Sequence, residues 1–129
     1  MTQKNITVYY QKEFNPYATH LEVYKTKNFS KTHTKVFEGT ITNVENQEDV
    51  FSAFNNDYAN PLSYTNETNK VCVIGDGYGS GKDFQQAMKD DKVECGHTSM
   101  SVGDIVEIDG VCFLCLDFGW HKFTKKEAA

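Results

Sequence analysis

Four residues in the second half of the chain have the types and spacing that could bind a zinc ion. Cys95 and His97 form one pair, and Cys112 and Cys115 form a second. Three thiolates and one imidazole are a common ligand set for structural zinc. However, the second pair lies in an apolar run that favours a strand, where residues three apart face opposite sides. We therefore favour buried structural thiols and no cofactor, and we keep a zinc-stabilised domain as an alternative.

A glycine-rich stretch at residues 75–82 follows a predicted strand and precedes a predicted helix, where a phosphate-binding loop would lie. Its spacing differs from that of such a loop, because Asp76 replaces the first glycine and Asp83 follows Lys82 in place of Ser or Thr. These two carboxylates would repel a phosphate. We interpret the stretch as a loop rich in turn-forming residues, in which Asp76, Tyr78 and Lys82 are candidates for contacts with a partner.

The histidines show no pattern of nucleophile, base and orienting acid. Ser99 and Ser101 lie near His97 in the sequence, but no acid can be assigned to this group. A histidine beside a turn is more often a structural residue than a general base. We therefore predict no catalytic residues and no enzymatic activity.

The elements that would position these residues follow from alternating and helical apolar patterns. Asn46 is placed to cap a helix, and Asp109-Gly110 is a strong signal for a hairpin turn. The predicted strands are residues 6–10, 20–24, 35–42, 70–74, 104–108 and 111–117, and the predicted helices are residues 49–55 and 83–89. The sequence therefore predicts one α+β domain over residues 1–129. It has a small antiparallel sheet of about five to six strands, two short helices, a C-terminal β-hairpin and a frayed tail at residues 124–129.

A lysine-rich segment between two predicted strands is the main basic feature of the chain. Its members are Lys25, Lys27, Lys31 and Lys35, with Phe29 between them. Spaced cations with an aromatic side chain can follow a phosphate backbone, which keeps a small β-rich nucleic-acid-binding module as an alternative. We favour an exposed loop whose five named residues are candidates for contacts with a protein partner.

The charge of the chain argues against several classes of partner. The formal net charge is −5, and all 13 basic residues are lysine. Arginine is the usual bidentate ligand of phosphate and guanine, so an acidic chain without arginine is an unlikely nucleic-acid binder. No apolar run approaches the roughly 20 residues of a membrane span, and the first residues lack the apolar stretch of a signal peptide. We therefore expect no membrane partner and a cytoplasmic location.

The segment at residues 99–120 has a readable structural logic. Serine side chains can bond to local backbone, a glycine permits conformations closed to other residues, and an aspartate can hold the turn before a strand. After the hairpin, a Gly-Trp pair would bend the chain and provide an aromatic anchor. The residues expected to hold this segment together are Ser99, Ser101, Gly103, Asp104, Gly119 and Trp120.

The same segment resembles the YodL-like domain of phages, mobile elements and low-GC bacteria. The resemblance rests on Ser-Met-Ser-Val-Gly-Asp-Ile-Val at residues 99–106 and Asp-Phe-Gly-Trp at residues 117–120, within a region of approximately 44–123. It implies an accessory protein without catalytic activity, of a kind found beside anti-restriction and other defence-related modules. From this resemblance we expect the chain to bind a host protein, which could be a component of a defence system, and to inhibit it.

Overall fold

Among the residues that the computed structural model describes, seven antiparallel strands form a single sheet in the order β4-β3-β2-β1-β5-β6-β7. The strands are β1 Gln3–Gln11, β2 His33–Thr42, β3 Val71–Cys72, β4 Tyr78–Gly79, β5 Ile105–Ile108, β6 Val111–Cys115 and β7 Trp120–Thr124. The helices are α1 Gln47–Phe54 and α2 Gly81–Lys89. The structure describes residues 3–12, 29, 32–42, 44–56, 60, 62, 71–72, 78–79, 81–90, 100–116 and 119–124.

The predicted α+β class is confirmed, and the five longer strands agree with the small antiparallel sheet expected from the sequence. The C-terminal hairpin is also confirmed: β5 and β6 pair in register across Asp109 and Gly110, which both have positive φ angles of 48° and 91°. Two positive φ angles are typical of the tight turn that matches strand twist. The predicted strand at residues 20–24 lies outside the described residues.

The last strand, β7, is a correction to the predicted C-terminal tail. Thr124, which was assigned to a frayed tail at residues 124–129, pairs with Val111 as the final residue of β7. The segment is short and carries two charged or titratable side chains, so its composition resembles that of a tail. Its strand conformation depends on the ladder with β6, which brings an apolar strand against it.

The helices cover one face of the sheet and enclose the larger core. A bulge in the β1–β2 ladder pairs Val8 with Phe37 and Tyr9 with Lys35, which leaves Val36 as the extra residue. Because a bulge locally breaks the alternation of side chains, Val36 and Phe37 are both buried in this core. The other buried members of this core are Ile6, Val8, Tyr10, Val44, Val50, Phe54, Leu62, Phe84, Met100 and Val106.

A second core lies on the opposite face of the sheet. It consists of Phe29, Ile105, Cys112, Leu114 and Phe123. Successive strand residues face opposite sides, so β5 contributes one residue to this core and the next residue to the larger one. The sheet therefore buries apolar side chains on both faces, which explains why β6 is apolar throughout.

Helix α1 begins with a reciprocal cap. The Asn46 side chain accepts a hydrogen bond from the amide of Asp49 at 3.1 Å, and the Asp49 carboxylate accepts one from the amide of Glu45 at 2.9 Å. Both bonds satisfy backbone N–H groups that have no partner within the helix. Among the described residues, no helix is long and apolar enough to cross a membrane.

Asn46→Ala is expected to lower the free energy of unfolding by about 1 kcal/mol, because it removes an N-cap acceptor. Urea unfolding followed by circular dichroism measures the change. Ser52→Ala, on the exposed side of the same helix, is the matched control and should be neutral or slightly stabilising. An equal loss in both variants would contradict a capping role for Asn46.

Candidate functional site

The turn before β5 is held by a buried carboxylate. Asp104 is fully buried. Its Oδ1 accepts a hydrogen bond from the amide of Gln11 at 2.8 Å, and its Oδ2 accepts one from the amide of Ser101 at 2.8 Å. One carboxylate therefore joins the end of β1 to the turn that begins β5.

Two side chains at the end of the β1–β2 ladder bind the same turn. Gln11 and His33 are paired across the ladder. Gln11 Nε2 donates to the carbonyl of Val102 at 2.9 Å, and His33 Nε2 lies 2.7 Å from the carbonyl of Gly103. Gly103 has a φ of 97°, a conformation that favours glycine. We call Gln11, His33, Gly103 and Asp104 the buried clamp.

The bonds around His33 determine where its proton lies. The carbonyl of Gly103 can only accept, so Nε2 carries the proton and donates to it. The hydroxyl of Thr32 lies 2.8 Å from the other ring nitrogen, Nδ1, and 3.2 Å from the carbonyl of Phe29, so its single proton can be donated to only one of these two acceptors at a time. Burial lowers the pKa of His33 below its ordinary value of 6.5, although the carbonyls of Gly103 and Phe29 and the Asp104 carboxylate oppose this shift. The ring is therefore neutral at pH 7.

The free energy of unfolding is expected to fall as the pH drops below 6.5, because the unfolded chain then binds a proton that the folded His33 resists. Above pH 6.5, His33 is neutral in both the folded and the unfolded chain, so its contribution to the free energy of unfolding stays constant. Urea unfolding between about pH 7.5 and 5.5 measures the slope. His33→Gln should reduce the slope. Equal slopes in the native chain and in His33→Gln would contradict the lowered pKa.

The two cysteines of β6 do not converge on a common point. Cys112 pairs with Phe123, and Cys115 pairs with Trp120. Both thiols are buried, and their odd separation along the strand places them on opposite faces of the sheet. Cys95 and His97 lie outside the described residues. Within the described part of the chain, no three His, Cys, Asp or Glu side chains form a group that could hold a metal ion.

The structure separates the residues that were expected to contact a partner. Phe29 was expected to contact a partner, and the structure corrects this expectation. Its side chain is 8% exposed and lies in the second core, so its ring is not available to a partner. Lys35 lies within β2 and forms an ion pair with Glu38 at 3.6 Å, and Lys82 is exposed on α2. The contact candidates that lie outside the described part are Lys25, Lys27, Lys31, Asp76 and the side chain of Tyr78. Ser99, which was expected to help hold residues 99–120 together, also lies outside it.

Trp120 joins the start of β7 to helix α1. Its indole Nε1 donates to the carboxylate of Glu48 at 2.6 Å, and its ring meets Phe51 edge to face with 6.1 Å between centroids. Gly119, with a φ of 79°, provides the bend before the strand. Trp120 and Phe51 remain half-buried, so parts of both rings reach the surface.

Within the described part of the chain, β7 is the last strand of the sheet on this side. The amide of Leu116 donates to the carbonyl of Gly119 at 3.0 Å. Because hydrogen-bonded pairs alternate along an antiparallel ladder, the backbone groups of Trp120 and Lys122 point away from β6. Lys122 is exposed and lies opposite the half-buried Phe113. We call Glu48, Phe51, Phe113, Trp120 and Lys122 the β7 edge surface.

Gly103, Asp104 and Trp120 were among the residues expected from the sequence to hold residues 99–120 together, whereas Gln11, His33, Phe113 and Lys122 were not singled out. Gln11, His33 and Asp104 are far apart in the chain, and no local signal links them. Phe113 and Lys122 carry a weak signal, because residues 120–124 alternate in hydrophobicity after a glycine.

The two sites differ in what they can do. The buried clamp uses its polar atoms on the chain itself, whereas the β7 edge surface presents aromatic rings, a cation and outward-facing backbone groups. No family model, curated protein or solved structure matches this chain.

Proposed function

We propose that this chain acts by binding another protein, and that the β7 edge surface is its binding site. The observation that carries the proposal is the position of β7 at the end of the sheet, beside half-buried aromatic rings. An edge strand can accept an extended segment of a partner through main-chain hydrogen bonds, while neighbouring side chains provide selectivity. Aromatic residues are enriched at such interfaces.

The buried clamp supports this role by holding the edge in place. Asp104 fixes the turn before β5, β5 pairs with β6, and β6 pairs with β7. At its first residue, Trp120, strand β7 is also joined to α1 through the hydrogen bond to Glu48. A surface that is ordered before binding loses less conformational entropy when a partner binds.

The charge and the resemblance support the kind of partner. A net charge of −5 without arginine favours a protein over a nucleic acid. The resemblance to the YodL-like domain supports an accessory protein of a phage or mobile element. We therefore propose that the chain acts in the host cytoplasm and inhibits a host protein, with a component of a defence system as the target.

A pull-down from lysate of a low-GC bacterial host tests the proposal. Lys122→Pro removes an outward-facing N–H and should disrupt strand addition while leaving the β6–β7 bonds intact. We expect the native chain to recover a partner that Lys122→Pro loses. Lys89→Ala, which removes an exposed charge at the end of α2, should retain it.

The proposal has two outcomes that would contradict it. One is equal recovery of the same partner by the native chain and Lys122→Pro when thermal unfolding shows that both are folded. The other is tight binding of labelled DNA or RNA at low salt that weakens steeply as salt is added, which would indicate a nucleic-acid-binding module.

A further inference from the structure

We infer that the β7 edge surface binds an extended acidic segment of a partner protein, which adds to the sheet as a strand beside Trp120 and Lys122. A carboxylate of that segment lies opposite Lys122, and an apolar side chain lies beside Trp120. This inference rests on the proposed function, because it names the chemistry of the partner at the same site.

The charge at the centre of the edge selects the carboxylate. Among the residues that the structure describes, the ion pair present joins Lys35 to Glu38, and none involves Lys122. The ammonium of Lys122 is exposed on the strand, and its neighbour across the ladder is the apolar Phe113. Opposite charges on directly facing strand positions stabilise the pairing, and like charges oppose it.

The surroundings of Trp120 set the register of the added strand. The carboxylate of Glu48 lies against the indole nitrogen and would repel a second carboxylate at this position. The half-buried rings of Trp120 and Phe51 instead favour an apolar side chain. Trp120 and Lys122 are two residues apart and therefore share a face of the sheet. The expected pattern is an acidic residue and an apolar residue separated by one position.

A second copy of the chain fits this edge less well. A symmetric antiparallel pairing of two β7 strands centred on Lys122 would place two ammonium groups side by side. Lysines on edge strands commonly prevent such self-pairing. The same charge that opposes a second copy favours a partner with a carboxylate at the facing position.

Two synthetic nine-residue peptides provide the test. Both alternate valine and threonine with valine at the first position, so that valines lie two positions from the central residue, which is aspartate in one peptide and lysine in the other. Fluorescence anisotropy of the labelled peptides should show that the native chain binds the aspartate peptide about fivefold more tightly than the lysine peptide. The preference should decrease as salt is added, because the charge pair is exposed.

Charge-reversal variants connect this preference to Lys122. Lys122→Glu should reverse the preference, so that the lysine peptide binds more tightly than the aspartate peptide. Lys89→Glu makes the same change in net charge at an exposed position on α2 and should retain the native preference. Equal binding of the two peptides by the native chain, or an unchanged preference in Lys122→Glu, would overturn the inference.

The peptide assay and the pull-down test the two proposals separately. A partner that is lost in Lys122→Pro, combined with no peptide preference, would retain the proposed function and overturn the acidic segment. A preference for the aspartate peptide that Lys122→Glu reverses, combined with no partner recovered in the pull-down, would support the acidic segment and contradict the proposed function. A dimer that light scattering detects for the native chain but not for Lys122→Pro would overturn the inference in favour of a second copy.

Discussion

Asp104→Asn is expected to lower the free energy of unfolding by about 3 kcal/mol. Asp104 is fully buried, and each of its carboxylate oxygens accepts a hydrogen bond from a backbone amide, one from Gln11 and one from Ser101. The asparagine has the same shape but only one oxygen. Its NH2 group would face one of these amides, which leaves a buried donor without an acceptor. Urea unfolding at pH 7 measures the loss.

Asp109→Asn is the matched control for this prediction. Asp109 lies in the exposed hairpin turn at the other end of β5, and its φ of 48° is a conformation that asparagine tolerates well. The same chemical change there should alter the free energy of unfolding by no more than about 0.5 kcal/mol. Similar decreases in the free energy of unfolding in the two variants would show that removal of a negative charge causes the effect, and that the loss of a buried hydrogen-bond acceptor does not.

Phe29→Ala is expected to lower the free energy of unfolding by about 3 kcal/mol, because it leaves a cavity in the second core. The Phe29 ring is 8% exposed and packs edge to face against three other rings. Its centroid lies 5.0 Å from that of Tyr9, 6.1 Å from that of His33 and 6.0 Å from that of Phe123. The substitution therefore removes contacts to β1, β2 and β7 at once.

Phe51→Ala is the control for Phe29→Ala. Phe51 is half-buried at the rim of the larger core, so its removal should cost about half as much. Thermal unfolding of both variants measures the difference. A negligible effect of Phe29→Ala would indicate that the ring is exposed, as the sequence suggested, and would restore it as a candidate for contacts with a partner.

The buried clamp and strand β7 are connected through the ring of Phe29 in the second core. Phe29 contacts both His33 of the clamp and Phe123 of β7, so loss of this ring should disturb both ends of the hairpin. Asp104→Asn changes the turn before β5 and its connection to the end of β1, and it leaves the contacts of Phe29 in place. Comparing peptide binding by the folded fraction of each variant would show whether the clamp contributes to the geometry of the edge.

Local signals in the sequence predicted the elements whose causes are local. The cap at Asn46 and the turn at Asp109-Gly110 each depend on residues within four positions, and the structure contains both. The β-branched and aromatic residues of β1 and the apolar runs on both sides of the Asp109-Gly110 turn likewise predicted strands, because such composition is visible in any window that contains the strand. These signals determined the α+β class and the small antiparallel sheet.

Tertiary structure alone decided the order of the strands and the sites that follow from it. β1 lies between β2 and β5, which brings Gln11 and His33 against Asp104 from distant parts of the chain. Thr124 became part of a strand, and Phe29 became a core residue, only through contacts with distant segments. Side-chain burial and edge position depend on which surfaces meet, and the free energy of those contacts is not encoded within any local window. The segment that ends in Trp120 therefore identified a hairpin from its sequence, whereas its exposed edge became visible only in the folded sheet.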